Sequence, residues 1–189
     1  MDLRDQLAAH AAAVDGMVQA SSDVIAEIAE RLTACFRAGG KVLICGNGGS
    51  AADAQHFAAE FVNRFRADRS PWPAISLVTD TSVLTSIAND ADFTDVFARQ
   101  VEALGRAGDV LIVLSTSGTS ANVLAALRAG RDRGLLTIGF TGMSGAGHLA
   151  ADCDVVLAAP TDDTARVQEA HAFAYHVIAG MVEGQLAGS

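Results

Sequence analysis

The sequence predicts an α/β fold: a doubly wound, five-stranded parallel sheet with helices on both faces and a long helix at the N-terminus. Two observations lead there. Five short apolar runs, 41–46, 74–78, 109–115, 135–142 and 153–159, are bounded by glycine or turn residues, as strands buried on both faces are. Between and after them lie stretches with helical character, 50–66, 80–88, 92–104, 119–133 and 163–186, and such alternation gives a parallel sheet.

Residues 2–37 read as the N-terminal helix. Apolar side chains recur there at spacings of three and four (Val14, Met17, Val18; Val24, Ile25, Ile28, Leu32), Ser21-Ser22-Asp23 offers a helix start in the middle, and Gly39-Gly40 closes the segment. No linker, repeat or low-complexity tract divides the 189 residues, so one domain is expected over 1–189.

Composition narrows the function. Half of the residues are apolar and 5% aromatic, with a formal charge of −9. Such a chain repels nucleic-acid backbones and is not expected to bind DNA or RNA in general, yet it can hold a phosphorylated metabolite through amides and hydroxyls. Cys35, Cys45 and Cys153 show neither CxxC nor zinc-finger spacing and read as free thiols. The N-terminus lacks a basic flank followed by an apolar block, and no apolar run approaches the ~20 residues that span a bilayer. A cytoplasmic protein with no membrane association is expected.

In parallel α/β sheets ligands bind at the carboxyl ends of the strands, which directs attention to the following loops. The first, Gly46-Asn47-Gly48-Gly49-Ser50, runs straight into a helix. Its glycines let backbone N–H groups approach an anion. It is neither a dinucleotide fingerprint nor a Walker A loop, and taken alone it fits a tight strand-to-helix turn as well as an anion cradle. The second, Ser115-Thr116-Ser117-Gly118-Thr119-Ser120, carries five hydroxyls in six residues. One serine explains a helix cap; five favour a phosphoryl group.

Further along the first of these helices, His56, Glu60 and Arg64 repeat at four-residue spacing, which places them on one helical face. His and Glu one turn apart suit a metal, an acid/base pair or a solvated charged face. The last helix sets Gln168, Glu169, His171, Tyr175 and His176 among apolar residues. "SIANDADF" puts Asn89 and Asp90 after a helix, where a simple turn is the alternative.

Taken together, the GNGGS loop followed by His56 and Glu60, the Asn89-Asp90 pair, the STSGTS loop, and Arg166-Val167-Gln168-Glu169 with His171 and His176 resemble the sugar isomerase (SIS) domain family, and within it the phosphoheptose isomerases. The likeness runs in order along nearly the whole chain. It implies a single, flavodoxin-like SIS domain whose residues 1–37 pack in the oligomer. It also implies a homotetramer with sites at subunit interfaces, one Zn2+ per site, and aldose–ketose isomerisation of sedoheptulose 7-phosphate to D-glycero-D-manno-heptose 7-phosphate through an enediol, in heptose biosynthesis.

By matched position, the substrate contacts implied are Asn47, Gly48, Gly49, Ser50, Glu60, Asn89, Asp90, Ser115, Thr116, Ser117, Ser120 and Gln168, with Arg64 assigned to a sugar hydroxyl. The metal ligands implied are His56, Glu60, Gln168 and His176, and the acid/base pair is Glu60 and His176. One departure is Ala165, where some members carry an acidic residue. A non-catalytic relative, the DnaA initiator-associating protein, also resembles this chain, but its counterparts of Glu60 and His176 do not ionise. An adaptor of that kind, or an isomerase of another phosphosugar, are the alternatives. Gln168 and His176 stand eight residues apart, ~12 Å of helical rise, and helical side chains lean toward the N-terminus. The two are therefore expected to reach one metal only from different subunits.

Overall fold

The computed structural model describes residues 2–187. Its sheet has the order β2-β1-β3-β4-β5, all parallel. The strands are β1 (Val42–Gly46), β2 (Ala74–Ser76), β3 (Val110–Leu114), β4 (Leu136–Thr141) and β5 (Val155–Ala158). The helices are α1 (Leu3–Arg37), α2 (Gly49–Val62), α3 (Thr81–Asp90), α4 (Ala98–Leu104), α5 (Ala121–Asp132), α6 (Ala146–Leu149) and α7 (Thr164–Ala187). The chain builds β1 and β2 outward in one direction and β3, β4 and β5 in the other. The reversal lies between β1 and β3, and the GNGGS and STSGTS loops leave the sheet at the carboxyl ends of those two strands.

Alternation along the strands explains why both faces are covered. Val42 and Ile44 of β1, with Val110, Ile112 and Leu114 of β3, point into a core closed by Met17, Ile28 and Leu32 of α1, Phe57 and Phe61 of α2, and Tyr175 and Ile178 of α7. Leu43, Cys45, Leu111 and Val113 point the other way, against Val101 of α4 and Val123 and Leu127 of α5. Strands apolar at every position are what a sheet between two helical layers requires.

Four expectations are revised. The first helix does not restart at Ser21-Ser22-Asp23. Ser21 is buried and the Ser22 hydroxyl donates to the Val18 carbonyl of the preceding turn, a bond that lets serine sit inside a helix. The stretch 92–104 divides into a 3-10 turn at Phe93–Asp95 and α4; the Asp92 carboxylate accepts from the Thr94 N–H and starts the turn locally. The segment 143–152, for which no helix was expected, holds α6. The helix expected over 50–66 stops at Val62, for a reason that bears on the site and is given below. Cys35 and Cys45 are buried free thiols and Cys153 is half-buried. Burial pushes the Cys35 thiol up to about 11 and the Cys153 thiol to about 12, far from nucleophile range.

One histidine of α7 belongs wholly to the core. His171 is fully buried and its Nε2 pairs with the Thr141 carbonyl at 3.1 Å, while Nδ1 has no partner. Burial lowers its pKa from 6.5 to about 4, although the bond to Thr141 pulls the other way. An unfolded chain thus takes up a proton near pH 6.5 that the native chain refuses until about pH 4. Stability should fall as pH drops through that window, by roughly 3 kcal/mol at most. Urea melts between pH 7 and 4 should show the loss, and His171→Gln should flatten the slope.

Candidate active site

Three long helices begin at one cavity. A space of about 310 Å³ is lined by Asn47, Gly48, Gly49, Ser50, Leu114, Ser115, Thr116, Ser120, Thr164 and Gln168. Gly48 is the N-cap of α2, Ser120 the N-cap of α5, and Thr164 the first residue of α7. Each helix start is the positive end of a dipole; at α7 the Ala165 and Arg166 N–H groups are already taken by the Asp163 carboxylate. No lining residue is charged. An anion would be held there by main-chain amides and hydroxyls.

The local sequence sets this up. Gly48 has φ +56°, which a side chain would resist, and a Cβ on Gly49 would stand 2.5 Å from Gln168 Nε2. So one glycine makes the turn and the next lets α7 approach. The Asn47 and Asn122 side chains exchange two hydrogen bonds, at 2.8 and 2.9 Å, tying the β1 loop to α5. Ser115 and Ser120 hydroxyls meet at 3.2 Å. Ser117 does not line the cavity; it is exposed and bonds Thr119 at the rim.

Further along α2 a second constellation forms. His56 Nε2 lies 3.0 Å from Glu60 Oε1 and 3.2 Å from His176 Nε2, and His176 Nε2 is 4.0 Å from the same Glu60 oxygen. Ligand atoms of His56, Glu60 and His176 all lie within 4.8 Å of one another. Two imidazoles and a carboxylate converging on one point are a zinc donor set with an open fourth position. Gln168 is not beside them: its amide rests against Gly49, about two helical turns before His176.

Arg64 is a correction. It does not share a helical face with His56 and Glu60, because α2 ends at Val62 and Arg64 lies beyond it, exposed. The cause is Glu183 of α7. Its carboxylate accepts from the N–H groups of Phe65, Arg66 and Ala67, at 2.8, 3.0 and 3.0 Å, and from Arg69 Nε at 3.2 Å. The Arg69 guanidinium in turn donates to the Glu60 and Phe61 carbonyls at 2.6 and 2.8 Å and stacks on Trp72. Burial pushes the Glu183 carboxyl up, but the backbone donors and Arg69 outweigh it and hold it below the ordinary range. The final turn of α2, which carries Glu60, is thereby fixed to α7.

Asn89 and Asp90 close α3, bonded to each other at 2.8 Å. Neither lines the helix-start cavity; Asp90 borders a separate recess with Ser86 and Arg99. Sequence reasoning did not single out Thr164, Asp53, Arg69 or Glu183. Asp163 gave a signal for the first, since its carboxylate accepts from the Ala165 N–H and starts α7 there.

The cavity of helix starts and the His/Glu/His cluster further along α2 are built at the reversal point of a parallel sheet, and the SIS domain model matches residues 7–142. The chain belongs to the SIS domain family, and within it to the phosphoheptose isomerases. A phosphoheptose isomerase of Roseiflexus sp. (strain RS-1) is 56% identical over 89% of this chain and 85% of its own length. One from Bradyrhizobium sp. (strain ORS 278) is 51% identical over 97% and 90%. The solved phosphoheptose isomerase GmhA from Neisseria gonorrhoeae superposes with a TM-score of 0.88 at 42% identity, covering 97% of this chain and all of that one. The family and the five-stranded parallel fold expected from sequence are thus shown. No helix among the described residues is long and apolar enough to cross a membrane.

The Glu183 contacts generate a stability prediction. Glu183→Ala should cost about 3 kcal/mol, because it leaves the nearly buried Arg69 guanidinium without its counter-charge and three main-chain N–H groups without their acceptor. Chemical denaturation measures it.

Proposed function

We propose that this chain is an aldose–ketose isomerase that converts sedoheptulose 7-phosphate to D-glycero-D-manno-heptose 7-phosphate in heptose biosynthesis. The observation that carries this reading is the juxtaposition of an uncharged cavity at three helix starts with the His56/Glu60/His176 cluster further along α2. An open-chain sugar phosphate needs both ends served at once: a grip on the dianion, and proton transfer at C1 and C2.

In this reading the amides and hydroxyls of Asn47, Gly48, Gly49, Ser50, Ser115, Thr116 and Ser120 hold the phosphate, joined by Thr164, with Ser117 at the rim. Gln168 of the same chain faces the sugar. The phosphate fixes C1 and C2 over α2, which converts the reaction from an encounter into a positioned step. Glu60 moves the proton between the two carbons. Its Oε1 faces the two imidazoles, which leaves Oε2 for the substrate. His176 carries the complementary proton at the oxygens. General acid–base groups of this kind contribute typically ~10²–10⁴-fold each.

His56, Glu60 and His176 fit Zn2+, one per site. When bound there, the ion would supply Lewis-acid positive charge to the site. Gln168 would complete such a site only from a neighbouring subunit, since its own chain turns it toward Gly49.

We read residues 1–189 as one SIS domain of a homotetramer in the cytoplasm. Leu3, Leu7 and Val18 are exposed along α1 in the single chain, which supports packing of residues 1–37 against neighbours. Asn89 and Asp90, held away from the cavity, and Arg64 would meet substrate where subunits join. An adaptor without chemistry has no use for ionisable groups at both Glu60 and His176, and an isomerase is favoured over it.

Two measurements test the reading. Glu60→Gln should fold normally and lose about 10²–10⁴ in kcat when sedoheptulose 7-phosphate turnover is followed by NMR; turnover near wild type would remove Glu60 as the base. Dialysis against a chelator should abolish turnover and Zn2+ should restore it, whereas an unchanged rate would remove the ion from catalysis.

A further inference from the structure

Asn122 places an amide in the interior. It stands in the first turn of α5 and is 3% exposed, and a polar side chain is costly to bury unless its groups are paired. The pairing is reciprocal. Asn122 Nδ2 donates to Asn47 Oδ1 at 2.9 Å, and Asn47 Nδ2 donates to Asn122 Oδ1 at 2.8 Å. Among the described residues no other side chain bonds Asn47. Asn47 lines the helix-start cavity; Asn122 does not reach it and stands behind.

The pair restricts what Asn47 can offer an anion. The last torsion of an asparagine is broad and roughly two-fold, so a lone Asn47 would turn its oxygen to the cavity as readily as its nitrogen. An oxygen there would repel a phosphoryl group. With Asn122 in place, a half-turn of Asn47 alone would set nitrogen against nitrogen and oxygen against oxygen, and both hydrogen bonds would be lost. An amide nitrogen has two protons, and Asn122 holds one of them. The other stays on a fixed plane at the cavity wall. A donor ordered before the ligand arrives loses less freedom on binding.

We infer that Asn122 is a positioning residue for the anion site: it grips the Asn47 amide by both ends and keeps the second Asn47 Nδ2–H ready for a phosphoryl oxygen. The inference rests on the reading of that cavity as the phosphate end of the site. A pair that only ties the β1 loop to α5 would affect stability and leave anion affinity alone.

Affinity for inorganic phosphate, followed by 31P line broadening, and KM and kcat for sedoheptulose 7-phosphate test it. The proteins are wild type, Asn122→Ala, Asn122→Leu, Asn47→Ala and the double alanine variant. Leucine keeps the buried volume that alanine empties. Both Asn122 variants should bind phosphate about 10-fold more weakly, with KM raised alongside and kcat lowered less than KM is raised. Asn47→Ala should lose as much or more, and adding Asn122→Ala to it should cost little further, because the two act as one unit. Three results would each overturn the inference: unchanged phosphate affinity in folded Asn122 variants, a loss confined to kcat or to melting temperature, or a loss that repeats in full on the Asn47→Ala background. If wild type binds no phosphate, the cavity reading itself fails and the inference with it. If neither Asn122 variant folds, the Asn47 side-chain amide signals of wild type decide. Phosphate should then shift the Nδ2 proton that Asn122 does not hold more than the one it does, and two unshifted protons overturn the inference.

Discussion

The docking of α7 across α2 is the contact on which the rest depends. Thr164 and Gln168 of α7 close the helix-start cavity. His171 ties the helix to the Thr141 carbonyl at the end of β4. Tyr175 and His176 meet His56, and Glu183 gathers the loop after α2. One 24-residue helix therefore sets the helix-start cavity, the His56/Glu60/His176 cluster and the boundary of the element between them. Displacing α7 along its axis would uncouple all three at once. Close approach at Gly49, where a Cβ would run into the Gln168 amide, fixes that axis at one end. The buried Glu183–Arg69 pair fixes it at the other.

The two constellations on α2 call for different physics. In the proposed reading the cavity would work by many weak, neutral donors, so its selectivity would be for shape and negative charge. The His56/Glu60/His176 cluster concentrates strong ligands and titratable groups in a small volume, where proton positions decide what each can do. Building both across α2 and α7 sets the distance between them rigidly, and in the proposed reading that distance would match the substrate, a phosphate at one end of an open chain and reacting carbons at the other.

Much of this was legible in the sequence because it depends on local pattern. Apolar runs bounded by glycine or turn residues marked all five strands, and hydroxyl-rich or glycine-rich loops after β1 and β3 marked the cavity. Pattern failed where a distant partner decided the outcome. Arg64 fits a helical face until Glu183, more than a hundred residues later in the chain, captures the N–H groups of Phe65 to Ala67 and ends the helix. Ser21-Ser22-Asp23 has the letters of a helix start, but a serine that returns its proton to the previous turn has no need to begin a new one. Tyr175 looks like an ordinary core residue of α7; that its hydroxyl meets His56 Nδ1 follows only from docking. Asn89 and Asp90 were recognised as a pair, yet no spacing rule tells which surface they face.

The anchoring cavity has a consequence for how such a protein changes over time. A grip made mostly of main-chain amides is not written in side chains, so few substitutions can erase it so long as the turn and the helix starts survive. In the proposed reading the reacting end is the opposite: single replacements at His56, Glu60 or His176 would remove its chemistry. Inheritance therefore treats the two ends unequally. In that reading the handle for phosphorylated sugars would be durable, while the catalytic end would be free to be retuned or silenced without rebuilding the part that holds the ligand.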